Sequence, residues 1–507
     1  MPRVAVIGGG LAGIAAALDC ADAGARVTLL EVRPRLGGAV YSFEREGLRM
    51  DNGQHVFLRC CTAYRALLAR LGGDRGVSLQ RRLEIPVVSP GGKVTVLRRS
   101  NLRAPLHLAG ALLRYRHLTL RERVGAARAA LAIGRLDPRA PELDRRSMGE
   151  WLAAHGQGPR AVAALWDLIA LPALNLPAAQ ASLALGAFVF QKGLLERADG
   201  GDIGFHRRPL SEIVGDPAKR ALRSAGVELR LGWRAERVIA AGGGFEVRRG
   251  GALTLDASAE GTGGERGTGD GGVLGDAEDG GDGGVGYGAE RPPAGNGVSA
   301  DAVILALPHA RAAGLIERSE LGSLDPQVAA GARALRDSPI VNIHVVYDRR
   351  VCELPFAAGV RTPVQYVFDR TEAGGVGEGM QYLAVSLSGA EREMGMSVDA
   401  LRERYLPALA ELFPRAREAR VESLLATREH AATFRAQPGV GALRAGAKTA
   451  VRGLALAGAW TDTGWPATLE GAVLSGHAAA RCALEALDMV GDSAVGKTTR
   501  TASEETP

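Results

Sequence analysis

The sequence predicts an α/β protein in which a nucleotide-binding domain is interrupted by a second, α+β domain. Three observations predict it. A β-branched run, a glycine-spaced turn and an alanine-rich run follow one another at the N-terminus and lead to an acidic residue. A second apolar run, ADAVILALP (Ala300 to Pro308), stands far along the chain. A third, LALA (Leu454 to Ala457), precedes a glycine-opened loop and an apolar helical pattern. Short buried strands spread across 507 residues, with long stretches between them, fit two or three domains that share a discontinuous sheet.

The first unit reads as strand, turn, helix and strand. Val4 to Ile7 is a buried-strand run. Gly8, Gly10 and Gly13 give G-x-G-x-x-G, and the helical run Ile14 to Ala23 ends at Gly24. A second strand, Arg26 to Leu30, closes on Glu31. Each glycine has a physical task. The first permits the tight turn, the second lets backbone approach a pyrophosphate, and the third lets helix and strand pack closely. The helix N-terminus, at Leu11 and Ala12, offers free N–H groups and the positive end of its dipole. Glu31 is placed to accept hydrogen bonds from ribose hydroxyls. The charged start and apolar run could also be read as a secretory leader, but the basic cluster of a leader is missing.

The next residues are Val32, Arg33, Pro34, Arg35, Leu36, Gly37 and Gly38. This segment resembles the extended fingerprint of FAD-dependent amine oxidases and carotenoid desaturases. The resemblance implies a Rossmann-like FAD-binding domain of amine-oxidase type with an inserted α+β substrate domain. It implies that Gly37 and Gly38 run beside the FAD pyrophosphate with arginine nearby. Many members carry Arg after the glycine pair; here Ala39 stands there, which leaves Arg35 to supply the charge. Arg207 to Ala240 reads as helix, turn and strand, and the resemblance implies that this strand passes the adenine near Val238. Ala300 to Pro308 resembles the strand that returns to the FAD domain. At the C-terminus, Gly458 starts a loop, and Pro466-Ala467-Thr468 opens a helix through Glu470 to Ala480. In the family this helix aims its N-terminus at the flavin pyrimidine edge, which makes the Leu469 N–H the implied contact, with Thr468 near the start of the helix. The family often has Gly-Asp where Gly458-Ala459 stands, so the aspartate's role is either vacant or moves to Asp462.

These segments assign residues 1–75, 205–250, 298–312 and 450–490 to the FAD-binding domain and 76–204 and 313–449 to the substrate domain. Residues 251–297 are Gly- and Asp-rich with little apolar content. They read as a disordered insertion in a hairpin loop, and 491–507 read as a flexible tail. Between Asp256 and Arg291 there are nine acidic and two basic residues, a local charge of −7. With a formal net charge of +6, the rest of the chain carries +13, an excess that suits an anionic partner such as a membrane surface or a pyrophosphate. No nucleic-acid partner is expected. Val96 to Leu136 repeats apolar residues at helical spacing with arginines between them. It is either the solvated face of packed helices or a basic amphipathic surface resting on anionic lipid. Five cysteines, an odd number without a CxxC pair, suit a reducing cytosol, and no apolar run is long enough to span a bilayer. A cytoplasmic protein, peripheral to the inner face of the membrane where that surface docks, is the expectation.

Two long segments narrow the resemblance. MDNGQHVFLRCCTAYRALLARLG (Met50 to Gly72) and WTDTGWPATLEGAV (Trp460 to Val473) look like the squalene-associated FAD-dependent desaturases, understood as hydroxysqualene dehydroxylases of hopanoid pathways. The resemblance spans the chain apart from the Gly-rich insertion and the tail. It implies a hydrophobic thirty-carbon isoprenoid substrate, reductive loss of an allylic hydroxyl, and an electron donor that the sequence does not identify. Such a reaction needs an acid, because hydroxide leaves poorly. His55, after Asp51-Asn52-Gly53-Gln54 on a loop expected near the flavin, is the first candidate; the alternative is that it braces the loop. Gly53 belongs to the same flavin-side loop, and Asp51 is expected to order its backbone. Tyr64, Asp462 and Glu470 are further candidate acids. Trp465 would stack on the flavin or line the tunnel, or else pack in the core. No cluster has metal-ligand spacing, and no Ser-His-Asp motif is seen. A carotenoid-type desaturase, an amine oxidase and a non-catalytic prenyl-lipid-binding protein on the same fold remain alternatives.

Overall fold

The computed structural model describes residues 1–250, 296–319 and 321–489. Most of the expected insertion and all of the expected tail therefore lie outside the described residues. The two strands that flank the insertion, Gly244–Arg249 and Gly297–Ala300, pair antiparallel.

Five parallel strands form the nucleotide-binding layer. They are β1 (Arg3–Ile7), β2 (Arg26–Glu31), β3 (Glu228–Leu231), β4 (Ala302–Ala306) and β5 (Leu454–Ala457), in the order β3-β2-β1-β4-β5. Val4 to Ile7 and Ala302 to Ala306 are buried without alternation, as in a sheet covered on both faces. β1 leads through Gly8 into helix α1 (Leu11–Asp22). Gly8 has φ +111°, and a Cβ there would lie 2.1 Å from the Ala306 carbonyl oxygen, so only glycine fits. The C-terminal helix α2 (Leu469–Ala486) crosses α1 so closely that a Cβ on Gly476 would lie 2.3 Å from the Ala12 oxygen. The alanines of α1 are small for the same reason, since bulk would push the helices apart.

A seven-stranded mixed sheet forms the other large layer. It joins Glu84–Ser89 and Lys93–Arg98 to Phe356–Gly359, Tyr366–Asp369, Gln381–Ser388, Asp337–Tyr347 and Val421–Phe434. The last two pair along almost their whole length, and Val421–Phe434 forms the edge of this sheet.

Three local expectations change. The single strand expected before Ala240 is two strands. Gly232, at φ +65°, ends the run after β3, and Ala235–Ala241 turns away into a three-stranded antiparallel sheet. Helix α2 starts at Leu469 rather than near Pro466, because Thr468 is its N-cap and its Oγ1 accepts from the Gly471 N–H. The helical pattern from Val96 begins as a strand, Lys93–Arg98, where Val94 and Val96 alternate with polar neighbours; helices follow at Ala109–Arg114 and Leu120–Ile133.

Candidate active site

A single cavity of about 3900 Å³ runs between the two layers. That is several times the size of an ordinary small-ligand site, large enough for a dinucleotide together with a long second ligand. Its floor is backbone. Gly37 donates to the Gly9 carbonyl at 2.8 Å, and Gly10 and Gly37 form a parallel bridge. A Cβ on Gly38 would lie 2.8 Å from the Gly10 Cα. The two glycine turns therefore touch and leave room above them. Leu11 and Ala12, the first residues of α1, line this end, and the helix start has no side-chain cap to occupy its N–H groups. Gly13 lies beneath the floor, where a Cβ would sit 1.9 Å from the Gly8 oxygen.

The charged groups at this end are aimed inward. Glu31 is buried; its Oε2 accepts from the Gly9 N–H at 2.6 Å and its Oε1 from the Arg33 N–H at 2.8 Å. It braces both turns and still lines the cavity. Val32 stands beside it, half exposed. Arg35 donates to the Gly38 carbonyl at 3.2 Å and stacks on Tyr41, with its guanidinium carbon 3.5 Å from the ring centre. Burial, with Arg33 next, lowers the Arg35 pKa. Its buried Nη2 has no hydrogen-bond partner among the described residues, and neither does Nε2 of Gln54, which lines the same cavity. Two adjacent guanidiniums, an orphaned donor and a bare helix start make a site for an anion, and a pyrophosphate fits it.

The middle of the cavity is organised by Asn52. Its side chain donates to the Ala39 carbonyl at 2.9 Å and to Glu429 Oε1 at 3.2 Å. Gly53 and His55 line the same region. His55 Nδ1 donates to the Gly53 carbonyl at 3.0 Å, and the His55 carbonyl accepts from His206 Nδ1 at 2.9 Å. Burial is the main cause that lowers the His55 pKa, so the imidazole is neutral and Nε2 carries a lone pair. With Nδ1 given to its own loop and its carbonyl given to His206, this is the arrangement of a brace. Asp51 is buried in an ion pair with Arg370 at 2.6 Å and also accepts from Ser42 Oγ and the Leu210 N–H.

On the far side, Gly458, Trp465, Thr468 and Leu469 line the cavity. Gly458 has φ +137°, and its N–H donates to Ser475 Oγ. Trp465 meets Phe188 edge-on at 5.1 Å. The loop before α2 is held by Arg444, which sequence reasoning missed. Its guanidinium donates to the carbonyls of Trp460, Thr461 and Trp465, and burial lowers its pKa to about 10.

Four candidates are not brought to the cavity in the expected role. Asp462 is exposed, and its carboxylate accepts from the Gly464 N–H within its own loop. Val238 is fully buried, with its N–H given to Ser319 Oγ at 2.8 Å; the residues of this segment that border the cavity are Trp233 to Glu236. Tyr64 is buried against His206 Nε2 at 2.7 Å. Glu470 is spent at the start of helix Thr62–Leu71, where it accepts from the N–H groups of Ala63 and Tyr64.

Glu429 was also missed. It lies on the edge strand Val421–Phe434, faces the cavity and is half-buried. Burial raises its pKa, with Asn52, Arg33 and Arg35 opposing more weakly. Oε2 has no hydrogen-bond partner in the protein among the described residues. Beyond it the cavity continues as an apolar arm lined by Leu168, Ile169, Phe188, Phe205, Phe356 and Tyr366.

The model of the family described as flavin containing amine oxidoreductase matches residues 11–259 and 279–484. The chain belongs to that family. It is an FAD-dependent oxidoreductase on the amine-oxidase fold, and FAD is the group that the glycine floor and arginines suit. Over 496 residues it is 29% identical to hydroxysqualene dehydroxylase of Rhodopseudomonas palustris, covering 95% of this chain and 98% of that one. It is 32% identical to a zeta-carotene desaturase of Zea mays over 176 residues, or 32% of this chain. The match spans only 31% of that desaturase, about a third of its length. The solved cyclohexylamine oxidase of Brevibacterium oxydans shares the fold, with a TM-score of 0.64 over 96% of this chain and 99% of that one at 17% identity.

Proposed function

We propose that the protein reductively removes the hydroxyl of hydroxysqualene to give squalene. Similarity along nearly the whole chain to a hydroxysqualene dehydroxylase carries this reading, where the carotene desaturase matches a third of it. The apolar arm supports it, because a thirty-carbon chain needs a long water-free channel.

Leu11, Ala12, Gly37, Gly38 and Arg35 would hold the FAD pyrophosphate, Glu31 the ribose, and Gly53, Gly458, Thr468 and Leu469 the flavin end. The chemistry that FAD would supply there, when bound and reduced, is a hydride to replace the hydroxyl. The protein supplies the rest. Glu429, whose pKa burial raises and whose Oε2 has no hydrogen-bond partner among the described residues, is the group placed to give a proton to the departing oxygen as the C–O bond breaks, so that water leaves. The aromatic faces of Trp465 and Phe188 shield positive charge that develops on the allylic carbon, and the apolar arm keeps water from it. His55 holds the Gly53 turn in place.

Purified protein reduced under argon and given hydroxysqualene should form squalene, identified by mass in the extracted lipid. Unchanged hydroxysqualene would sink the reading. A second reading, a polyisoprenoid desaturase that removes hydrogen, draws on the carotene-desaturase similarity. It requires oxidised flavin and a polyisoprenoid with a saturated C–C bond to dehydrogenate, and a parallel incubation of oxidised protein with squalene, extracted in the same way, distinguishes it by a product two hydrogens lighter.

A further inference from the structure

Eight of the twelve large hydrophobic residues exposed among the described residues fall between Val94 and Leu131. Leu106, Leu113 and Leu120 are 62%, 63% and 63% exposed. Helix Leu120–Ile133 shows why this is no ordinary packed surface. Ala126, Ala129 and Ile133 form one apolar stripe and are buried. Leu120, Val124 and Leu131 form a second stripe, about 180° away at 100° per residue, and all three are exposed. A surface helix that packs only inward needs a single stripe.

The second stripe is framed by positive charge. Between Lys93 and Arg135 there are nine arginines, one lysine and one acid, Glu122. Glu122 is already held by Arg160 and by the Thr119 cap. Arg103, Arg114, Arg116, Arg121 and Arg128 are exposed and pair with no carboxylate among the described residues. Arg121 and Arg128 flank the stripe about 60–80° to one side, where long side chains can reach polar groups above an apolar layer. Beneath the surface, Leu97, Leu108 and Leu112 pack on a cluster that includes Ile85, Leu168 and Phe356. Those three line the apolar arm of the cavity. The exposed patch and the arm are two sides of one cluster.

We infer that this surface docks on a bilayer containing anionic phospholipid. The leucines enter the boundary between headgroups and acyl chains while the arginines meet phosphate. The apolar arm then lies directly behind the docked surface, across one packed cluster from the phase in which a polyisoprenoid is dissolved.

The test uses the full chain and vesicles of phosphatidylcholine with or without phosphatidylglycerol, read by co-sedimentation. Binding needs no turnover, so the result is independent of the reaction proposed above. Wild-type protein should sediment with the anionic vesicles, and salt should release it. The triple variant Leu113→Glu/Leu120→Glu/Leu131→Glu should lose binding by more than about tenfold. Its flavin absorbance and melting temperature should be unchanged, because all three side chains already face water. Arg116→Glu/Arg121→Glu/Arg128→Glu should lose binding to anionic vesicles similarly. A wild-type protein that stays in the supernatant, or variants that bind as well as wild type, would overturn the inference. So would a stable dimer in solution that the leucine variant dissolves without any vesicle binding, since the patch would then be a self-interface.

Discussion

The two ends of the cavity are built in different ways. The end under α1 is made of backbone: glycine turns that touch, a bare helix start, and one buried carboxylate that ties Gly9 to Arg33. The other end is made of side chains from widely separated segments, among them Phe188, Phe205, Phe356 and Tyr366. A backbone site tolerates no added atom, whereas a side-chain site tolerates exchange of similar volumes. The first end should therefore fail abruptly on small changes, and the second should change its substrate before it loses its fold.

The largest expected effect is at the junction of the two ends. Glu429→Gln keeps the hydrogen bond to Asn52 but removes the acid. It should lower turnover by roughly 10²–10⁴-fold while FAD stays bound. The pH sign follows from the raised pKa: the acid form persists above the ordinary carboxylate range, and activity falls as pH rises through that pKa. The stability that Glu429 contributes through its proton is likewise present below its unfolded pKa and lost as pH rises through the folded one. A Glu429→Gln enzyme with normal turnover would remove the acid from the scheme.

Next comes Arg370→Ala, which strands Asp51 beside the Gly53 turn without its charge partner. It should cost about 3–5 kcal/mol, measured by denaturant unfolding. At the backbone end, Gly13→Ala drives a methyl against the Gly8 carbonyl. It should cost about 1–3 kcal/mol and weaken FAD binding by a comparable amount, read as flavin retained on gel filtration. Full flavin retention would mean that the floor is softer than its distances imply. The smallest effect is that of His55→Ala, about 1 kcal/mol, with turnover changed less than by Glu429→Gln. Burial keeps His55 neutral, so its contribution to stability is present above its ordinary pKa and fades on acidification. The variant should flatten that acid limb of the melting profile. A drop in turnover as large as that of Glu429→Gln would return the catalytic role to His55.

The same division explains what the sequence could reveal. Gly8, Gly10, Glu31, Gly37 and Gly38 were legible because their spacing is the structure: local turns place local backbone. Strand Leu454–Ala457 was legible for the same reason. Ala235 was displaced from view by Gly232, whose left-handed turn splits one apparent strand into two. Asp462 carried a plausible charge in the right loop, but its own backbone claimed it. Glu429 and Arg444 gave no local sign at all. Their positions depend on pairing across the sheet and on loop carbonyls about 20 residues away, and a single sequence does not encode such contacts in any short motif.

Stopped-flow absorbance on photoreduced protein, mixed anaerobically with hydroxysqualene, tests the central claim most directly. The predicted result is reoxidation of the flavin in step with squalene, one molecule per flavin, in wild type and slowed at least about a hundredfold in Glu429→Gln. A flavin that stays reduced while the substrate remains intact would contradict it.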